Sequence, residues 1–160
     1  MKSMLLVIDL QKSFINENTL YLVKRVDKLV NSSKYDLIVF TKFINNEDSI
    51  WVKKLNYTGC ISLEDREIVV DTKENIVLEK SVYTAYSKEL INIINDNNIE
   101  LINICGIDTE CCVLKTAFDL FENGYDVKVL KDYSGSTHGM ESNKTALSII
   151  ARNIGKDNVI

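Results

Sequence analysis

Residues 99–132 read IELINICGIDTECCVLKTAFDLFENGYDVKVLKD. IELINICG is a continuous apolar run of strand length. Val113, Ala117 and Phe121 then recur at helical spacing, with Leu114 and Phe118 beside them, and Asn123-Gly124 ends the helix. YDVKVLKD reads as a second strand. Strand, helix and strand in such close succession make one βαβ unit, which requires parallel pairing across a covered sheet. Two adjacent cysteines, Cys111 and Cys112, fall in the first turn of the helix, just beyond the strand.

The same alternation continues outward in both directions. MLLVIDL is a short apolar run of the kind buried on both faces, and Leu20, Val23, Val26 and Val30 mark a helix that NSSKYD closes. LIVFTKF is a second buried strand, INNEDS a loop, and IWVKKL a short helix. NYTGCISLEDREIVVDTKEN carries no clear period and is read as irregular with one extended piece. NIVLEK forms a third strand ending at Lys80, followed by a helix through Leu90, Ile93 and Ile94 that NDNN ends. Leu147, Ile150, Ala151 and Ile154 define a last helix stopping at Gly155, and DNVI is a candidate edge strand. The expected fold is a single three-layer α/β/α domain over residues 1–160, with a mainly parallel, roughly six-stranded sheet.

Composition narrows the function. The 160 residues are 46% hydrophobic, enough for a sizeable core. A net charge of −4 and a pI near 5.1, with no lysine cluster denser than Lys53-Lys54, exclude a nucleic-acid stripe. No apolar run is long enough to span a bilayer, and the first one is broken by Asp9 with no cleavage site after it. A cytoplasmic location is therefore expected, where the thiols of Cys60, Cys105, Cys111 and Cys112 stay reduced. One histidine, His138, is too few for a His and Cys zinc site. No G-x-G-x-x-G follows the first strand, so a dinucleotide is not implied. Neither a metal nor another cofactor is expected; the partners are a small-molecule substrate and, in a dimer or tetramer, further copies of the chain.

Ligands of open parallel sheets bind beyond the carboxyl ends of the strands. Asp9 lies at the end of the first strand, Lys80 ends the third, and the cysteine pair follows the fourth. A thiol attacks as thiolate and needs help at neutral pH. A helix first turn, capped by Asp108 or Thr109, supplies N–H groups and a positive dipole end, and a lysine lowers the thiol pKa further. An aspartate accepts the proton, and the same N–H groups suit the oxyanion of an acyl transfer. Residue types alone leave Cys111 and Cys112 interchangeable.

LLVIDLQKSF, EKSVYTAY and CGIDTECCVLKTAFDLFENGYDVKVLKDYSGS, in this order and spacing, resemble the isochorismatase-like cysteine hydrolases, the superfamily that includes nicotinamidases. The most specific part is G-x-x-T-x-x-C-V, here Gly106, Thr109, Cys112 and Val113. The weakest lies between about Asn45 and Asn75. The resemblance implies Asp9 as general base, Lys80 as the second catalytic residue and Cys112 as nucleophile, leaving Cys111 to packing. It further implies a cis bond between Ile107 and Asp108, with the N–H groups of Asp108 and Cys112 as the oxyanion hole. Phe14, Tyr83 and Tyr86 fall where relatives line the pocket. The Asp-x-His…His metal set of nicotinamidases is missing from TKFINNEDSIW, and the thiol argues against vinyl-ether cleavage. The implied reaction is hydrolysis of a small amide-type C–N bond through a thioester. Two alternatives remain: a non-catalytic redox or ligand-sensing module built on the thiol pair, and a Cys–His hydrolase using His138.

Overall fold

The computed structural model describes all 160 residues, Met1–Ile160. Five strands, β1 (Ser3–Ile8), β2 (Leu37–Phe43), β3 (Ile76–Lys80), β4 (Leu101–Ile107) and β5 (Val127–Gly135), pair in the order β3-β2-β1-β4-β5. All four pairings are parallel. Helices α1 (Leu20–Val30), α2 (Ile50–Leu55), α3 (Lys88–Asp96), α4 (Leu114–Glu122) and α5 (Met140–Ile154) make the connections. None is long and apolar enough to cross a membrane.

β1 shows why its sequence is an unbroken apolar run. Successive side chains point to opposite faces, and both faces are covered. Met4, Leu6 and Ile8 enter one hydrophobic cluster, with Leu90 and Ile94 of α3, Ala117 and Leu120 of α4, and Ile150 and Ile154 of α5. Leu5 and Val7 enter the other, with Leu22, Val26, Leu29 and Val30 of α1. The strand order reverses at β1, whose neighbours are β2 and β4. That reversal opens a crevice at the carboxyl ends of β1 and β4.

The structure corrects several details of the sequence reading. The sheet has five strands rather than six. The DNVI tail forms a 3-10 turn, Lys156–Asn158, and a single bridge from Val159 to Val129. The buried stripe of α1 runs through Leu22, Val26 and Leu29, leaving Leu20 exposed. In α4, Leu120 is buried and Phe121 exposed. Both errors have one cause: several apolar residues lie close together in these helices, so period alone does not fix which stripe faces the sheet. The short helix at IWVKKL is present and is capped by Ser49, whose side chain accepts from the Val52 N–H.

The segment 56–75, illegible in the sequence, folds without regular elements apart from a bridge between Gln11 and Ile68. Polar side chains bonded to main chain tie it down. Arg66 donates through Nε to the Cys60 carbonyl and through Nη2 to that of Asn45, both at 2.9 Å. Asn45 donates to the carbonyls of Tyr57 and Gly59 at 3.1 and 3.0 Å. The fully buried Gln11 side chain pairs with both main-chain groups of Phe43, at 2.7 and 2.9 Å, and with the Arg66 carbonyl at 3.0 Å.

Gly106, next to Ile8 in the β1–β4 register, has a φ of 127°. A Cβ there would stand 2.0 Å from the Ile8 carbonyl oxygen. Strand β4 can meet β1 at this point only without a side chain. Gly106→Ala should therefore cost more than about 3 kcal/mol in urea denaturation or prevent soluble folding; a midpoint close to that of the wild type would contradict this reading.

Candidate active site

Asp9 follows β1 directly. Its φ of 46° turns the chain out of the sheet, and the residue is fully buried. One carboxylate oxygen, Oδ1, lies 2.6 Å from the Thr41 hydroxyl, which also accepts the Asp9 N–H at 3.1 Å. The other, Oδ2, lies 2.7 Å from Lys80 Nζ, and that ion pair is almost wholly out of solvent, with side-chain exposures of 0% and 8%. Lys80 ends β3 and is separated from β1 by β2, so only a long side chain can make this contact. It crosses over its register partner Phe43, whose ring centroid is 5.5 Å from Nζ.

The Lys80 ammonium is fully subscribed. Besides Asp9 it donates to the carbonyls of Val82 and Tyr83, at 2.9 and 3.0 Å. Three oxygens thus surround its three protons. The Cys112 sulfur stands 3.6 Å away, so the thiol faces a fixed positive charge.

Cys112 arrives from the other side of the crevice. The peptide bond Ile107–Asp108 is cis, and residues 109–113 continue as a π-helical turn into α4. A π turn in a longer helix shifts side chains off the α-helical schedule and is frequent at functional sites. The Asp108 carbonyl accepts from the N–H groups of Cys111 and Val113, at 3.1 and 3.2 Å, on either side of Cys112. Neither side chain expected to cap the turn does so. The Asp108 carboxylate instead accepts from the Thr137 N–H and hydroxyl at 2.7 and 2.9 Å. Burial pushes that carboxyl upward in pKa, and the Thr137 bonds oppose the shift. The Thr109 hydroxyl reaches the Gly135 carbonyl at 3.1 Å and Asn143 Oδ1 at 2.6 Å, tying the turn to β5 and α5.

The electrostatics of the thiol differ from the simple expectation of a lowered pKa. Burial pushes Cys112 well above the ordinary thiol value, the neighbouring Asp9 carboxylate pushes the same way, and Lys80 opposes them. The resting group is a thiol beside a carboxylate, not a standing thiolate. Cys111, half-buried, is raised to about 11 by burial and by Asp108 and Glu110. Cys60 and Cys105 are raised to about 11 and about 12, burial being the main cause in each.

Asp9, Lys80 and Cys112 thus come together. His138 does not: it is exposed in the turn after β5, and only its backbone N–H is engaged, with Ser136 Oγ at 3.0 Å. Phe14 and Tyr83 belong to a connected wall of aromatic rings. Centroid separations are 4.6 Å for Trp51–Tyr83, 5.9 Å for Phe43–Trp51, 6.4 Å for Phe14–Phe43 and 6.3 Å for Phe14–Tyr57. Tyr86 instead packs on the hydrophobic cluster beneath and lines a cleft shared with Thr41, Lys80 and Thr84. Thr41, Phe43, Trp51 and Tyr57 were not singled out from sequence as site residues. Thr41 and Phe43 sit inside a strand pattern and read as filling. Trp51 lies in the short IWVKKL helix and reads as part of its surface, and Tyr57 lies in the stretch with no period.

Where the resemblance would put the metal-binding histidines, the residues present do not fit a metal. Asn45 spends its amide on two main-chain carbonyls, and no three His, Cys, Asp or Glu side chains converge anywhere in the chain.

A parallel α/β sheet with a cysteine, a lysine and an aspartate gathered at its switch point defines a class of enzyme-like folds. The comparisons with known proteins are narrower. The isochorismatase domain model matches residues 3–156, and the chain belongs to that family. Isochorismatase family protein 1B of Dictyostelium discoideum is 32% identical over 142 residues, covering 85% of this chain and 64% of that protein. Family protein 2A of the same organism is 29% identical over 148 residues, covering 86% and 68%. The chain therefore spans about two-thirds of the length of these relatives. Among solved structures, the pyrazinamidase of Pyrococcus horikoshii in complex with zinc superposes with a TM-score of 0.86 at 23% identity, covering 99% of this chain and 97% of that one. The N-carbamoylsarcosine amidase of Thermoplasma acidophilum gives 0.80 at 20% identity, covering 94% of each.

The four thiols should separate under iodoacetamide at neutral pH, read by mass spectrometry. Cys112 should label first in spite of its raised pKa, because a carboxylate and an ammonium stand beside its sulfur to take the proton and hold the charge as it reacts, and fully buried Cys105 should stay unlabelled until the protein is denatured. Labelling of Cys111 ahead of Cys112 would reverse the assignment of the special thiol.

Proposed function

We propose that the chain is a cysteine-dependent hydrolase of a small amide-type C–N bond, with Asp9, Lys80 and Cys112 as its catalytic residues. The observation that carries this reading is the contact of one buried ammonium with both the Asp9 carboxylate and the Cys112 sulfur. Burial keeps the thiol protonated at rest, so the nucleophile must be made when substrate is present. Asp9 takes the Cys112 proton, and Lys80 stabilises the thiolate that results. The sulfur attacks the amide carbonyl carbon. The N–H groups of Asp108 and Cys112 receive the oxyanion.

Collapse of the tetrahedral adduct breaks the C–N bond, and Asp9 returns its proton to the departing amine or ammonia. The acyl group is left on Cys112 as a thioester. Water then attacks with Asp9 as base, releasing the carboxylic acid and regenerating the thiol. Lys80 acts throughout as a fixed charge, because its three protons already hold three oxygens. The amidase neighbours support a C–N bond as the target, and the wall from Phe14 to Tyr83 favours an acyl group with a flat or apolar face. No step passes through a metal.

Ammonia release from a panel of primary amides, carbamoyl and ureido compounds provides the test. Asp9→Asn and Cys112→Ser should each lower turnover of the active compound by roughly 10²–10⁴-fold. His138→Ala should leave it within about threefold, a change under 1 kcal/mol. A His138 variant that is dead beside an active Asp9→Asn enzyme would transfer the role of base to the imidazole.

A further inference from the structure

We propose that Thr41 is a positioning residue for the reaction above: its hydroxyl holds the Asp9 carboxylate in one rotation and occupies Oδ1, which leaves Oδ2 for proton transfer. The proposal rests on the Asp–Lys–Cys reading and adds a residue to it.

The argument begins with the strand register. The last paired position of β1 with β2 is Val7 with Phe40. Two residues later Asp9, with a φ of 46°, has left the ladder, and its N–H has no main-chain acceptor there. Thr41, on β2 and 1% exposed, supplies the missing acceptor. Its Oγ1 lies 3.1 Å from the Asp9 nitrogen and 2.6 Å from Asp9 Oδ1.

Hydrogen polarity then follows from the chemistry of the groups. An amide N–H can only donate, so the hydroxyl accepts from it. A hydroxyl carries one hydrogen, and an ionised carboxylate oxygen can only accept. The Thr41 hydrogen therefore lies on the line to Oδ1. A proton placed on Oδ1 would confront it, and the buried hydroxyl would have to turn and give up its acceptor. Proton transfer is therefore assigned to Oδ2, which lies 2.7 Å from the Lys80 ammonium whose nitrogen is 3.6 Å from the Cys112 sulfur.

The carboxylate is thereby held in one rotation, with Oδ2 against the ammonium that also meets the thiol. The charged and titratable groups facing Asp9 are Lys80 from β3, Cys112 from the turn after β4, and Cys60 from the irregular segment. Lys80 donates to Oδ2, and the bond recorded at Oδ1 is the one from Thr41. A β-branched residue suits a central strand on propensity alone, so valine would serve there just as well if the hydroxyl had no task.

The rate of Cys112 alkylation by iodoacetamide at neutral pH, followed by peptide mass spectrometry, tests this without a known substrate. Asp9→Asn should slow it by about tenfold or more. Thr41→Val should slow it several-fold, while Thr41→Ser, which restores the hydroxyl, should keep the wild-type rate. Thr41→Ala, which cannot clash, carries the same expectation as Val if the valine variant does not fold. A rate that Asp9→Asn lowers but Thr41→Val and Thr41→Ala leave unmoved overturns the role of Thr41 alone. A Ser variant slowed as far as the Val variant overturns it too. A rate indifferent to Asp9→Asn overturns both this proposal and the catalytic assignment beneath it.

Discussion

A buried ion pair, Asp9 with Lys80, is the constraint to which the rest of this molecule answers. Taking a carboxylate and an ammonium out of water costs several kcal/mol for each ion, and attraction between them offsets this only when every remaining donor and acceptor is used. Here they are used. Lys80 satisfies two carbonyls just past its own strand, and Thr41 and Lys80 each occupy one oxygen of Asp9. Removing either charge would strand the other at a cost of about 3–5 kcal/mol. Folding and chemistry therefore share the same few atoms.

The sheet order explains why the pair forms where it does. Asp9 stands at the reversal point beside β1, Lys80 two strands to one side, and Cys112 one strand to the other. Side-chain lengths match these separations: a short carboxylate at the centre, a four-carbon stem on the far strand, and a thiol brought in by a π-helical turn. The aromatic ring of Phe43 fills the space under the lysine stem. The long stem thus gains an apolar floor while its charged end reaches the buried carboxylate.

Much of this was legible in the residues. The strand runs and their order predicted a covered parallel sheet, and the edge rule brought Asp9, Lys80 and the cysteine pair to one side. What escaped had physical reasons. Helices α1 and α4 carry apolar residues on adjacent stripes, so Leu20 and Phe121 looked as suitable for the core as Leu22 and Leu120. The direction of the Cys112 shift was missed because a helix start and a lysine are visible in sequence, whereas burial is not. Thr41 hides in LIVFTKF as one more β-branched residue. Its task depends on the turn made by Asp9, a backbone event with no residue signature of its own. The stretch 56–75 has no period to read because main-chain carbonyls taken up by Arg66 and Asn45 shape it, and such bonds leave no pattern in the intervening side chains.

Those carbonyl tethers have an evolutionary consequence. Cys60, Tyr57 and Gly59 are gripped through their backbones, so the fold of the segment does not depend on the side chain at an exposed position such as Leu63. Of the anchoring donors, Asn45 precedes the segment and Arg66 lies within it. Between them the chain can exchange surface residues without disturbing the ion pair or the turn that carries Cys112. A scaffold with that division of labour can change what it recognises while its chemistry stays fixed.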